Sequence, residues 1–176
     1  MGGERRARLG SRSGDTRSAP PVPEVAANEW PMLGGGPNRN AARQDASPAV
    51  CWNAASGENI LWQTRLGDVT CASPVVADDC VFIGTDNGEP RDRLEPIEEG
   101  VLMAFSAETG RFLWQDTAPC ISNGSLYRFL HTETTSTPLI EGDRLYFVTA
   151  QAQLRCLNPA TKRSSEPRPG FLGTSL

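Results

Sequence analysis

The sequence predicts an all-β fold, and three observations carry that prediction. No stretch spaces its apolar residues at the three-to-four interval of a helix face. Glycine (17 residues) and proline (14) recur between short apolar runs, as turn residues do between strands. One unit of strand, turn and strand also occurs twice at a fixed internal order.

Residues 1–28 hold Gly, Ser, Arg and Ala, then Pro20-Pro21-Val22-Pro23, with almost no large apolar side chain. Such a segment buries too little surface to offset its ordering entropy, so a disordered leader is expected. Five Arg precede residue 18 without a following apolar run, so no signal peptide is visible. Residues 28–40 form a Gly/Pro-rich loop around Trp30-Pro31 and Gly34-Gly35-Gly36-Pro37. A phosphate cradle is not expected there: no strand precedes the loop, no Lys-Ser/Thr ends it and no helix follows. From Ile60 to Leu66 apolar and polar residues alternate, the period of a strand buried on one face. An outermost strand is expected at this point.

The duplication follows. Ser73 to Thr85 lies without gaps on Thr137 to Thr149 at an offset of 64, pairing Pro74 with Pro138. Each copy reads as strand, acidic turn (Asp78-Asp79 or Gly142-Asp143) and strand. Leu102 to Thr109 then lies on Leu154 to Thr161 at an offset of 52, which places a twelve-residue insertion within residues 86–100. A strand-built repeat near fifty residues long indicates a propeller or a solenoid.

The returning turn carries the most specific motif, Ala104-Phe105-Ser106-Ala107-Glu108-Thr109-Gly110-Arg111-Phe112-Leu113-Trp114. It resembles the tryptophan-docking repeat of pyrroloquinoline-quinone-type (PQQ-type) β-propellers, Ala-x-Asp-x-x-Thr-Gly-x-x-x-Trp. Ala104, Thr109, Gly110 and Trp114 agree, Arg111 stands where Lys is common, and Ser106 departs where Asp is usual. Trp52 to Trp62 is a weaker edition, with Ser56-Gly57 for Thr-Gly and one extra residue before Trp62. The segment from Trp30-Pro31 through Arg39-Asn40 is similar to the opening of bacterial PQQ-like propeller proteins.

The resemblance implies a partial β-propeller of four-stranded antiparallel blades, about two in number, over residues 29–161. A first blade is expected over 73–116, with strands 73–77, 80–85, 101–106 and 111–116. An incomplete second blade is expected over 137–161, with strands 137–140, 144–150 and 153–157. At the offset of 52 the Gly and Trp of the repeat fall on Lys162 and Glu166, so residues 162–176 are expected to be a disordered or out-of-frame tail. Propellers close with about four to eight blades. The expectation is therefore a truncated fragment of a longer protein, with Val, Phe and Trp side chains exposed on the outer faces of its terminal blades.

Charge narrows the function classes. The net charge of −4 divides into nine Arg against seventeen acidic residues over 29–161, and a basic excess at both ends. An acidic folded region repels phosphate backbones, so nucleic acid is not an expected partner. Lys162 is the only lysine against sixteen Arg, a bias read as coding composition. The five cysteines (51, 71, 80, 120 and 156) lack CxxC and CxxCH spacing and adjacent pairs, so neither zinc nor c-type haem is supported and small buried hydrophobes are expected. No apolar run approaches the roughly 20 residues of a transmembrane helix.

Three constellations invite chemistry. Trp62 and Trp114 could stack a planar cofactor; in the repeat they resemble, they dock between neighbouring blades, at about 3–5 kcal/mol for truncation of such a buried ring. The insertion carries Asp86, Glu89, Asp92, Glu95, Glu98 and Glu99 against Arg91 and Arg93, and Asp86-Asn87-Gly88-Glu89 slightly suggests a calcium loop. The ligand spacing of such loops is not met, and a solvated loop is expected. His131, the only histidine, neighbours Thr132, Glu133 and Ser136, but no nucleophile elbow accompanies it, so a catalytic triad is not expected.

What remains is a structural set: Trp62, Pro74, Ala104, Thr109, Gly110, Trp114 and Pro138, with no catalytic, cofactor-binding or metal-binding residue. The resemblance implies a non-catalytic binding or scaffolding propeller, similar to the bacterial outer-membrane assembly propeller, in the periplasm or cell envelope. Its partners would be protein or further propeller blades. The alternative it implies is the opening part of a quinoprotein dehydrogenase oxidising alcohols or sugars. Those enzymes use PQQ, Ca²⁺ held by Glu, Asn and Asp, a catalytic Asp, a stacking Trp and often adjacent cysteines. None of these maps onto the chain, and neither PQQ nor Ca²⁺ is expected to bind.

Overall fold

The computed structural model describes residues 25–39, 41, 47–89, 91, 99–119 and 136–162. Among the described residues there are seven strands: β1 Val75–Ala77, β2 Cys80–Asp86, β3 Glu99–Ser106, β4 Phe112–Pro119, β5 Leu139–Glu141, β6 Arg144–Val148 and β7 Leu154–Leu157. They form two antiparallel meanders, a four-stranded sheet β1-β2-β3-β4 and a three-stranded sheet β5-β6-β7. No helix occurs among the described residues, so none is long and apolar enough to cross a membrane.

Local chemistry fixes the turns. Ala77 pairs with Cys80 across the two-residue loop Asp78-Asp79, in which both residues have positive φ (49° and 57°). This is the twist-matched geometry of a tight hairpin, and Asp tolerates it better than most side chains. The matching loop in the second sheet is Gly142-Asp143, between the paired Glu141 and Arg144, with positive φ at Gly142. The offset of 64 read from the sequence therefore superposes two hairpins of the same loop length.

Period-two alternation divides the first sheet into two apolar faces. Val75, Ala77, Phe82, Leu102 and Ala104 meet Ile140, Leu145, Phe147 and Leu157 of the second sheet in one buried core, with Leu113 and Trp114 at its margin. Val101, Met103 and Phe105 face the other way and pack with Ile83, Phe112 and Leu66. The first sheet is thus sandwiched between the second sheet and the segment that carries Leu66. Burial of each such side chain contributes about 1.5–3 kcal/mol, and the duplication supplies apolar residues to both sides of one interface.

The lead-in loop ties the innermost strands together. Trp30 bridges Val76 antiparallel, through N–H···O contacts of 2.7 and 2.9 Å, while the Pro31 carbonyl accepts the Ile140 amide at 2.8 Å. Gly35 turns at φ 84° beneath the Trp30 ring, where a Cβ would lie 2.8 Å from Cζ3. Only glycine fits both the dihedral and the space.

The structure revises several sequence expectations. Residues 60–66 keep the alternating exposure of a strand but join no ladder among the described residues. Strands β3 and β4 extend beyond 101–106 and 111–116, while β6 and β7 are shorter than 144–150 and 153–157, because Thr149 and Gln153 close a separate turn (2.9 Å). The outer-face expectation also changes. Among the described residues the large exposed hydrophobic side chains are Leu33, Val50, Trp52, Leu61 and Val148, so Val and Trp are exposed but no Phe is, and the repeat tryptophans Trp62 and Trp114 are half-buried. On the first sheet, Leu66 packs against the face formed by Val101, Met103 and Phe105. His131, Cys120, the insertion residues 92–98 and the tail from residue 163 lie outside the described residues.

Candidate functional site

Three turns share one hydrogen-bond pattern. In each, an amide closes back on the carbonyl four residues earlier: Gly57 on Asn53, Gly110 on Ser106 and Lys162 on Asn158, all at 2.9 Å. The first residue of each turn also accepts amides with its side chain. Asn53 Oδ1 takes Ala55 and Ser56 (2.9 and 3.2 Å), and Asn158 Oδ1 takes Ala160 and Thr161 (3.1 and 3.0 Å). Ser106 Oγ takes Thr109 at 3.3 Å. A short polar side chain that mimics a backbone turn is what the position demands. Ser106, the departure from the expected Asp, thus supplies a weaker version of the same contact.

Each later turn receives a tryptophan from the preceding unit. Trp62 Nε1 donates to the Ala107 carbonyl at 2.7 Å, and Trp114 Nε1 donates to the Pro159 carbonyl at 3.1 Å. Donors and acceptors both shift by the 52 residues of the repeat. The Trp62 ring lies against Gly110, where a Cβ would meet Cδ2 at 2.6 Å. Lys162 occupies the matching place in the next turn with φ 57°. The turn persists although its glycine is lost, so the repeat extends one turn further than the residue identities suggested.

Polar contacts reinforce the same junctions. Arg155 Nη1 on β7 reaches Asp116 Oδ2 on β4 at 2.6 Å and the Thr117 carbonyl at 2.7 Å. The Ser73 amide donates to Thr137 Oγ1 at 2.9 Å, joining two residues that the offset of 64 makes equivalent. Phe82 and Trp114 lie 5.8 Å apart, ring to ring.

The sequence-predicted set therefore splits. Trp62 and Gly110 touch, and Trp114 bonds the following turn. Ala104 is fully buried, paired with Trp114 across β3 and β4. Thr109 is exposed, its Oγ1 accepting the Arg111 amide at 3.3 Å. Pro138 is buried and Pro74 exposed, each following one partner of the Ser73–Thr137 contact. Sequence reasoning missed Asn53, Asn158 and the Arg155–Asp116 pair. The two asparagines were findable, since they fall on the Ser106 position of the repeat; the ion pair had no signal.

Elsewhere, Asp86 is buried at the end of β2 and accepts the Val69 amide at 3.1 Å. Thr85 Oγ1 accepts the Gly67 amide and donates to the Val69 carbonyl, both at 3.0 Å. These bonds fasten residues 67–69 to β2. Arg91 sits over Phe105 and Phe112 (5.8 and 5.4 Å to the ring centroids) and bonds the Arg65 carbonyl, while Arg65 pairs with Glu89 at 2.9 Å. Among the described residues no three His, Cys, Asp or Glu side chains gather as a metal site. A cavity of about 600 Å³ lies between the lead-in loop and the two hairpin turns, lined by Met32, Ile140, Glu29, Asp78, Glu141 and Asp143 among others. Cys80, beside one of these turns, has its thiol pKa raised by burial and then by the charges of Asp78 and Asp79.

A family model described as outer membrane protein assembly factor BamB matches residues 29–163. A search of curated proteins gave no match. The matched span takes in both sheets and all three turns, and it covers more than half of the chain. With its repeated meanders and tryptophan-bearing junctions, this chain belongs to that family of PQQ-like β-propeller repeat proteins.

Proposed function

We propose that this chain is a non-catalytic binding or scaffolding propeller module of the bacterial envelope, acting through protein partners. The single observation that carries this reading is the engagement of the two repeat tryptophans. Both indole N–H groups bond carbonyls of neighbouring turns, and the Trp62 ring is held against Gly110, an arrangement that joins successive units and supports a structural role for the two rings. The acidic loop after β2 supports the same reading. The Asp86 carboxylate is turned to the Val69 amide, and Glu89 to Arg65, so the two acids best placed to begin a calcium loop hold protein groups instead. These contacts weigh against a PQQ–calcium site at Asp86 and Glu89. The envelope location and the assembly role come from the description of the matching family.

The test is calorimetric titration of the purified chain with PQQ and Ca²⁺, with a dye-linked alcohol and sugar oxidation assay alongside. The expected result is no saturable heat and no turnover. One-to-one binding in the micromolar range, with dye reduction, would replace this reading by that of a quinoprotein dehydrogenase module.

A further inference from the structure

We infer that Arg91 is a latch: its guanidinium holds residues 64–66 closed over an apolar face of the first sheet, and its loss opens that segment while both sheets stay folded. The inference is independent of the proposed function, since Arg91 lies in the insertion between β2 and β3, outside the repeated unit. Residues 60–66 join no ladder, and the backbone of 63–66 makes no bond to the backbone of another described residue. The segment is instead anchored at its two ends. Trp62 Nε1 donates to the Ala107 carbonyl at 2.7 Å. Beyond Leu66, the Gly67 and Val69 amides donate to Thr85 Oγ1 and Asp86 Oδ1 (3.0 and 3.1 Å), and the Asp86 amide returns to the Val69 carbonyl at 3.1 Å. Between the anchors, Leu66 packs against Val101, Met103 and Phe105. A span tied at its ends and held between them by so few buried groups belongs to the low-stability part of a fold, which opens first.

Arg91 acts on that span. Its Nη2 donates to the Arg65 carbonyl and lies 3.4 Å from Thr64 Oγ1. The same guanidinium stands over Phe105 and Phe112, with Cζ 5.8 and 5.4 Å from the ring centroids. Those two rings meet edge to face, 6.0 Å apart. One planar cation therefore joins the segment to the sheet, resting on two rings of β3 and β4 while its N–H bonds a carbonyl of the segment. A guanidinium suits this place because it is weakly hydrated, stacks on aromatic faces and carries donors in a fixed fork. Glu89 does not carry the closure. It pairs with the Arg65 side chain at 2.9 Å, but the two side chains are 49% and 80% exposed, where an ion pair contributes little. The segment is gripped by its backbone, and the grip comes from Arg91.

The experiment compares two reactions of the full chain in parallel samples, oxidation of Met103 by hydrogen peroxide and alkylation of Cys156 by iodoacetamide, both mapped by mass spectrometry. Met103 is fully buried on the face that the latch closes, and Cys156 is buried in β7 of the other sheet. Arg91→Leu keeps an apolar side chain near the rings but has neither donor nor charge. Met103 oxidation should then rise about tenfold, the loss of one hydrogen bond and an exposed cation–π contact. Cys156 alkylation should change less than about twofold, because the opening is local. Arg91→Lys keeps the charge without the fork and should give an intermediate rise; it carries the test should Arg91→Leu not fold. Glu89→Gln should leave both rates near those of the parent chain. Equal rises of the two rates would mean global destabilisation and would overturn the inference. An unchanged Met103 rate, or a Glu89→Gln effect as large as that of Arg91→Leu, would overturn it as well.

Discussion

Trp62 and Gly110, 48 positions apart, fit together so closely that a Cβ on Gly110 would lie 2.6 Å from the indole Cδ2. The glycine is thus required twice, once by its φ of 68° and once by the ring above it. Gly57 has the same left-handed backbone with no atom of the described residues near its Cβ position, and it serves as an internal control. Gly57→Ala should cost only the dihedral term, about 1–2 kcal/mol. Gly110→Ala should cost that plus the displacement of Trp62, about 3 kcal/mol or more in total. Urea unfolding of the two variants measures the difference, and equal losses would mean that the ring yields without cost.

Lys162 stands where the repeat has glycine, in a left-handed conformation with φ 57°. Relief of that strain favours glycine by about 1–2 kcal/mol, while the freedom glycine adds to the unfolded chain opposes it by about 0.5–1 kcal/mol. The balance predicts that Lys162→Gly stabilises the chain by about 0.5–1 kcal/mol. It should also shorten the Trp114–Pro159 contact from 3.1 Å toward the 2.7 Å of Trp62–Ala107, since the indole gains the room that Gly110 gives its counterpart. A crystal structure and a thermal melt of the variant check both.

Much of this architecture was legible in the sequence because it is local and repeated. The two offsets located hairpins whose loops, Asp78-Asp79 and Gly142-Asp143, match in length, while the ring that lies against Gly110 is Trp62 of the weaker repeat edition, not the Trp114 of its own motif. What stayed hidden depends on neighbours in space. Ser106 departs from the Asp usual in the repeat, yet its Oγ accepts the Thr109 amide, as asparagine accepts amides in the other turns. Residues 60–66 carry the alternation of a strand, but a ladder needs a partner, which alternation cannot supply. Arg155 and Asp116 are 39 residues apart, and no periodicity connects them.

The Arg155–Asp116 pair should stabilise the junction between β4 and β7. Its side chains are 29% and 17% exposed, so water screens the attraction only in part. Asp116→Asn keeps the shape and removes the charge, leaving Arg155 with a neutral amide oxygen and the Thr117 carbonyl as acceptors; a loss of about 1 kcal/mol is expected. A double-mutant cycle with Arg155→Met should return a favourable coupling of about 1 kcal/mol that weakens in high salt. A coupling near zero would assign the stabilisation of this junction to the tryptophans and the shared core instead.

Cys80 gives the pH prediction, and its sign follows from the neutral thiol being the favoured form. Burial disfavours the thiolate, and Asp78 and Asp79 repel it further, so the folded pKa lies above the ordinary thiol value. A raised acid pKa means that the folded state holds the proton more tightly than the unfolded one. The contribution to stability is complete below the unfolded thiol pKa and disappears as pH rises through the folded one, so alkaline solution should destabilise the chain. Cys80→Ser should flatten that alkaline limb without altering the neutral region's slope. Reactivity should follow the same logic. Cys51 and Cys71 are exposed, while Cys156 is buried, so iodoacetamide at mildly alkaline pH should modify Cys51 and Cys71 first and Cys80 and Cys156 later. Peptide mapping by mass spectrometry reads the order, and early alkylation of Cys80 would show that its thiolate is not held off by Asp78 and Asp79.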